Sequence, residues 1–456
     1  MNYSCLLSGI LGIYDLSMSE FQNNNRITPF AITDYRDIKK IFGIKEKNRR
    51  GHIYIIGKTG TGKTTLIENM AISDIENNCG VALIDPHGDM SEEILDYIPT
   101  NRVRDVIYFN PADLENPIAF NHLEKVPKDF HHLVASGIVS TFKKIWSESW
   151  GPRLEHILRH ALLSLLEYPN STLLDLPKLL TDNSFRNKVL AHITHPQVRD
   201  FWLLEFEKYS VWLRSEAVSP ILNKIGQFLT SIPLRNIVGQ KENTFDLRKL
   251  MDEGKILIVN LAKGKIGEDN CSLLGALVLT KIELSALSRA DLPEDQRAPF
   301  YLFVDEIHSF ITLSFADILS ESRKYGLNLV LAHQYIEQLD EKIRAAIFGN
   351  VGTIISFRIG AEDAKYLAQE FAPVFDETDL INLPNFHIYL KLMIDGQTSQ
   401  PFSAKTLRLR EINTSHKEEI IVNSRNMYTR QRADVERDIL YRPAASSQIY
   451  DQQQLF

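Results

Sequence analysis

Short apolar runs alternate along the chain with stretches whose apolar positions recur at helical spacing, in two blocks separated by a long helix-patterned segment. The first block carries HIYIIG (52–57), VALID (81–85) and DVIYFN (105–110). The second carries KILIVNLA (255–262), FYLFVDE (300–306), LNLVLAH (327–333), GTIISFRI (352–359) and HIYLKLM (387–393). Runs rich in Val, Ile, Phe and Tyr between turn residues read as strands, and their alternation with helical patterns predicts a mostly parallel sheet flanked by helices. Between the blocks, patterns such as RLEHILRHALLSLLE are broken by YPN, DLP and HPQ with no convincing strand, which predicts an all-α domain inserted into an α/β core. The expected organisation is an N-terminal segment (1–45), the first part of the core (46–126), the helical insertion (127–240), the second part of the core (241–410) and a polar, partly helical tail that frays toward its end (411–456).

Composition narrows the class without naming a partner. The 456 residues, 44% hydrophobic and 24% charged, are ordinary for a soluble globular protein with more than one folded unit. A net charge of -7 supplies no overall attraction to nucleic acid or anionic lipid, although a few basic loops would not alter that total. Cys5, Cys79 and Cys271 are far apart and form no C-x-x-C pair, so neither a disulfide framework nor a zinc site is expected, and a reducing cytoplasm is the simplest compartment. The opening MNYSCLLSGILGIYDLS has an apolar run from Cys5 to Ile13 with no basic residue before it and too little length to cross a bilayer. It reads as a loose or packing segment, with Met18 a second possible start. The expected location is cytoplasmic, with peripheral attachment to a membrane left open.

Candidate chemistry begins where the first apolar run ends. In GKTGTGKTT, Gly57, Gly62, Lys63 and Thr64 satisfy G-x-x-x-x-G-K-[ST], with a strand pattern before and a helix pattern after. The stretch Gly57, Lys58, Thr59, Gly60, Thr61, Gly62, Lys63, Thr64 and Thr65 is therefore expected to wrap a phosphate chain with backbone N–H groups at a helix N-terminus. Lys63 would reach the outer phosphates and the Thr64 hydroxyl would ligate Mg²⁺. Neither N-K pair continues as the guanine-reading N-K-x-D, because Asn187 and Asn223 lead into VL and IG, so ATP is the expected nucleotide.

FYLFVDE ends in Asp305 and Glu306, which suit a Mg²⁺ contact and a residue that orients or deprotonates water. Downstream, in ESRKYGLNLVLAHQYIEQL, Arg323 fits an arginine finger for a neighbouring subunit's nucleotide, and a surface ion pair equally well. Gln334, at the next strand end, fits a γ-phosphate sensor, although loop anchoring is the ordinary role of such a residue.

Taken in order, IIGKTGTGKTTL, ALIDPHGDM, VIYFNPAD, ILIVNLAKGKIGEDN, FVDE, ESRKYGLNLVLAHQY and GNVGTIISFRIGAEDA resemble the HerA-FtsK superfamily of pumping P-loop ATPases, and within it the TraG-like type IV secretion (conjugative DNA transfer) coupling proteins. The resemblance spans roughly residues 45 to 410. It implies a RecA-like core with an inserted all-α domain, a hexameric ring, and ATP-driven movement of DNA through a central pore. It also implies roles: Lys63 and Thr64 for phosphate and Mg²⁺, Asp305 and Glu306 for metal and water, Gln334 as sensor and Arg323 as a finger acting in trans. Coupling proteins usually carry an N-terminal membrane anchor and HerA proteins a small β-barrel, and neither is expected before residue 50. Membrane secretion apparatus or DNA-processing proteins are the implied further partners. Two rival readings are a secretion or pilus-assembly ATPase that drives proteins, and a non-enzymatic scaffold that uses nucleotide only to oligomerise.

Weaker candidates remain. Lys263 and Lys265 in AKGKIGEDN fit a mobile basic loop touching a DNA backbone, or a solvated turn. Asp85, His87 and Asp89 in DPHGD fit turn chemistry better than a border of the nucleotide or a metal, and His156 and His160 share a helix face without a third ligand. Arg358 fits a subunit interface, the nucleotide or a structural ion pair, while Trp146, Trp150 and Arg153 fit core packing better than base stacking.

Overall fold

A computed structural model describes residues 27–34 and 39–440. The apolar run from Cys5 to Ile13 and the last part of the tail lie outside the described residues. Among the described residues the strands are β1 (Ile27–Thr33), β2 (Ile41–Lys45), β3 (Ile53–Ile56), β4 (Gly80–Asp85), β5 (Val106–Phe109), β6 (Ile256–Asn260), β7 (Phe300–Val304), β8 (Leu327–His333), β9 (Thr353–Ser356), β10 (His387–Lys391), β11 (Met393–Ile394), β12 (Gln397–Thr398) and β13 (Phe402–Thr406). Eleven form one sheet in the order β2-β1-β13-β10-β9-β3-β8-β7-β4-β6-β5, and β11 pairs with β12 apart from it. From β9 to β5 every neighbouring pair is parallel, whereas β10, β13, β1 and β2 add an antiparallel wing.

The central strands are buried on both faces, which is why they read as unbroken apolar runs rather than as alternations. Their side chains divide between two cores by parity. Ile53, Ile55, Val81 and Leu83 join Leu66, Ile67 and Met70 of the helix Lys63–Glu76 on one face. Tyr54, Ile56, Ala82 and Ile84 join the helical insertion on the other.

Two sequence expectations change here. The stretch before residue 46 is not separate from the sheet, because β1 pairs with β13 and with β2. Its signal is faint because Pro29 interrupts the run and the register shifts between Pro29 and Ala31. Pro29 pairs with Gly43, where a Cβ would stand 2.1 Å from the Thr28 carbonyl oxygen, so the hairpin closes only over a glycine. The insertion, for its part, shares the core instead of owning one. Its first helix, His131–Ile145, lies against the helix Glu268–Ser288, and a Cβ on Gly137 would sit 2.4 Å from Thr280 Cγ2.

In the tail, the helix Lys417–Tyr428 covers the edge strand β5, with Ser424 Oγ accepting from the Tyr108 amide at 2.8 Å, and the helix Arg432–Leu440 reaches Asn236 through Glu436. Among the described residues, one helical stretch, Glu268–Asp291, is long and apolar enough to cross a membrane, and 61% of its apolar window is buried inside the fold.

Candidate functional site

The site lies at the carboxyl ends of the parallel strands, where β3, β8, β7 and β4 stand side by side. The chain leaves β3 through residues 57–62 and enters the helix Lys63–Glu76. Backbone bonds hold this loop to both neighbours: the Gly57 amide donates to the His333 carbonyl (3.3 Å) and the Lys58 amide to the Arg358 carbonyl (2.9 Å). The Thr61 hydroxyl closes the loop on the Lys58 carbonyl at 2.7 Å. Gly62 has φ +113°, and a Cβ there would lie 2.8 Å from the Phe386 ring, so the turn requires glycine on both counts. Thr59 and Gly60 are exposed, as is Thr64 at the start of the helix.

Lys63 is buried, and its ammonium donates to the carbonyls of Gly57 (2.5 Å) and Lys58 (3.3 Å). Burial pushes its pKa down, against the pull of Glu306 and Asp305, which it faces across the end of β8. Asp305 is anchored by its own amide, which donates to the Ile84 carbonyl (3.1 Å), and its Oδ1 accepts from the Glu306 amide (3.0 Å). Burial and the adjacent Glu306 raise its pKa to about 6, with Lys63 opposing. Glu306 takes a left-handed conformation (φ 47°, ψ 52°), unusual for a residue with a side chain. Burial would raise its pKa, but His308 and Lys63 outweigh that and hold it below the ordinary value. Its Oε2 is buried, lacks a hydrogen-bond partner, and lies 3.3 Å from His308 Nδ1 in ion-pair contact.

The intervening strand β8 ends in His333, and Gln334 follows it. Gln334 Nε2 donates to Thr59 Oγ1, joining the proposed sensor to the loop. His333 is buried between Tyr54, whose hydroxyl is 3.3 Å from Nδ1, and His308, whose ring centre is 5.1 Å away. Burial and His308 push it down to about 3, a neutral imidazole. Sequence reasoning passed over both histidines. Their signal was position alone, since each stands within three residues of a predicted site residue.

Arg323 is not part of this constellation. It precedes β8, at the amino end of the sheet, and is exposed. Ser322 beside it is fixed by His52, which precedes β3: His52 Nδ1 accepts from the Leu329 amide (3.1 Å), leaving Nε2 to donate to Ser322 Oγ (3.1 Å). Burial drives His52 to about 4, so this neutral tautomer persists at neutral pH.

The remaining candidates divide. Asp85 accepts from the amides of His87 and Ser91, each at 2.8 Å, which is turn and helix-entry chemistry. Lys263 and Lys265 are exposed on the short helix Lys263–Ile266 after β6, at the same sheet end as the phosphate loop, where the Lys263 amide donates to the Pro86 carbonyl (2.8 Å). The Arg358 guanidinium donates to the Leu383 carbonyl and Asn385 Oδ1. His160 stacks on Phe201 and His156 meets Glu205 at 3.2 Å; among the described residues no group of three or more possible ligands could hold a metal ion. Trp146 packs on Phe142, and Trp150 donates to Glu155 at 2.8 Å. Cys79 and Cys271 are buried and form no disulfide among the described residues.

The donor set fits a nucleoside triphosphate with a divalent cation. Backbone N–H groups and Lys63 suit the phosphates, while the clustered carboxylates, Asp305 with a raised pKa and Glu306 with a buried Oε2 that meets only His308, suit a divalent cation.

Residues 36–381 match the family described as the type IV secretion-system coupling protein DNA-binding domain. In structure, the chain is similar to the plasmid coupling protein TrwB in complex with the GTP analogue GDPNP (TM-score 0.59, 17% identity, covering 88% of this chain and 94% of that one). It is likewise similar to TrwB in complex with ADP and Mg²⁺ (TM-score 0.59, 18% identity, 82% and 89% covered). A further similar structure is VirB4 of Thermoanaerobacter pseudethanolicus (TM-score 0.56, 15% identity, 85% and 98% covered). No curated protein matches the chain in sequence.

Proposed function

The chain belongs to the type IV secretion-system coupling protein family, and from that premise we propose that it is a Mg²⁺-dependent ATPase that assembles as a hexameric ring and translocates DNA. The observation that carries the reading is the convergence of Lys63, Asp305 and Glu306 at one sheet end, beside a sensor amide already bonded to the loop. A nucleotide scaffold has use for the loop but none for the two acids.

The loop amides and Lys63 bind the phosphate chain, and Thr64 and Asp305 are the residues to hold Mg²⁺. The cation, when bound, neutralises charge on the phosphates and on the carboxylate cluster. Glu306, kept ionised by His308 and Lys63, accepts a hydrogen bond from the attacking water and takes its proton. Gln334 reports on the γ-phosphate through Thr59 and β8. Arg323 lies at the wrong sheet end for its own loop, which favours delivery to a neighbour's nucleotide and makes ring closure a condition of turnover. Lys263 and Lys265 are the candidate contacts to the DNA backbone, and the protein acts in the cytoplasm, docked to a membrane secretion apparatus.

The test is the steady-state ATPase rate with and without double- and single-stranded DNA over a salt series, with Glu306→Gln as blank. DNA stimulation that fades with salt is the expected result. A DNA-indifferent rate above the blank turns the reading toward a motor that drives proteins, and no rate above the blank turns it toward a scaffold.

A further inference from the structure

The water-activating acid is reached from the helical insertion by a lysine. Lys144 lies in the last turn of the helix His131–Ile145, and its ammonium donates to two main-chain carbonyls, those of His308 (2.5 Å) and Ile311 (2.7 Å). Both carbonyls belong to the turn that follows Glu306. Within it, the Ser309 amide donates to the Glu306 carbonyl (2.9 Å), and the amides of Phe310 and Ile311 both return to the Ile307 carbonyl. The turn thus starts at a residue in the left-handed region and carries, on His308, the ring that touches Glu306 Oε2.

Among the described residues no carboxylate forms an ion pair with Lys144. Although the residue as a whole is only half-buried, its charged end is enclosed enough that desolvation pushes its pKa down to about 7. A buried cation held by carbonyls alone is a poor way to stabilise a fold, since an apolar side chain of the same length would avoid the desolvation. It is a good way to hold a backbone turn from a distant element. We propose that Lys144 is a positioning residue that clamps the 307–311 turn, and through His308 sets the carboxylate of Glu306, so that the helical insertion governs hydrolysis. Displacement of the insertion's first helix would withdraw the ammonium, free the turn and let Glu306 leave its hydrolytic position. The inference rests on the reading of Glu306 as the residue that activates water.

The test compares the parent, Lys144→Met, His308→Ala, Glu306→Gln and the double variant Lys144→Met/Glu306→Gln. ATPase kinetics are read beside amide hydrogen exchange of residues 307–311. Lys144→Met should lower kcat by about 10²-fold, the cost of a small misplacement of a reacting group, with KM for ATP unchanged. The double variant should be no slower than Glu306→Gln alone, and exchange across the turn should accelerate. His308→Ala should repeat the kcat loss without a change in KM, which keeps the link testable if Lys144→Met fails to fold. An unchanged kcat in both Lys144→Met and His308→Ala, or unchanged exchange in Lys144→Met, overturns the proposal. Turnover surviving in Glu306→Gln would instead remove the hydrolytic reading, and the clamp would then stand or fall on the exchange result.

Discussion

Two buried charge clusters sit at opposite ends of β3 and the helix that follows it, and they are built differently. At the amino end, Arg49 pairs with Asp74, donates to Thr28 Oγ1 at 2.8 Å, and lies 3.9 Å over the Tyr301 ring, so one cation meets one anion inside an apolar shell. At the carboxyl end, Lys63 faces both Asp305 and Glu306, yet its hydrogen bonds go to its own loop's carbonyls. The first cluster matches one cation to one anion, although Arg49 Nε and Nη2 and Asp74 Oδ2 are buried without a hydrogen-bond partner. The second is net negative, with Asp85 close enough to add to the strain on Asp305. Burial makes either arrangement costly, and it still holds the Asp74 carboxyl above its ordinary range, but only the first cluster has its charges matched one to one, as a structural ion pair does, while the excess of negative charge in the second suits a bound cation.

The difference can be broken most severely at Arg323, an amino-end residue assigned to carboxyl-end chemistry. Arg323→Ala should reduce turnover by about 10³ to 10⁵-fold while leaving the melting temperature unchanged, and mixing it with Lys63→Ala protein should restore part of the rate. Mixed rings that assemble yet stay inactive would confine Arg323 to the surface. Next in size, Glu306→Gln should cost about 10² to 10⁴-fold in turnover and leave ATP affinity intact, which equilibrium binding of a labelled nucleotide checks.

At the amino end the effect should fall on stability instead. Arg49→Met should lower the unfolding free energy by about 3 to 5 kcal/mol by stranding a buried carboxylate, and Arg49→Met/Asp74→Leu should recover most of it. Denaturant titrations read both, and an additive loss in the double variant would deny the pairing. The smallest effect concerns pH. Asp305 titrates near 6 in the fold against an ordinary 3.8, so the folded state binds more protons over that window and stability falls as pH rises through it. The full cost, present above pH 6, is at most about 3 kcal/mol. Glu306, shifted downward, acts in the opposite sense, its contribution being lost as pH falls below the ordinary carboxylate range. Asp305→Asn should therefore raise the melting temperature at pH 7.5 and hardly alter it at pH 4, and a variant no more stable at pH 7.5 would show that Asp305 is not under strain.

Legibility along the chain follows the range of the interactions. The phosphate loop could be read because its demands are local: glycine at φ +113°, a strand before and a helix after. Central strands were legible because burial on both faces leaves an unbroken apolar run. The β1–β2 hairpin was not, since Pro29 and a register shift hide its alternation. Lys144 could not be read at all, because its carbonyl partners lie more than a hundred residues away and a carbonyl carries no side-chain signature.

The sequence by itself determined which residues can touch a phosphate chain and which acids end a buried strand, because loop geometry and strand burial are properties of neighbouring residues. Tertiary structure alone decided that Arg323 stands at the far end of the sheet from its own loop, that His308 and His333 flank Glu306, and that the helical insertion reaches the turn after Glu306. Those placements depend on strand order and on which helix packs where, and they arise only when distant segments share one core.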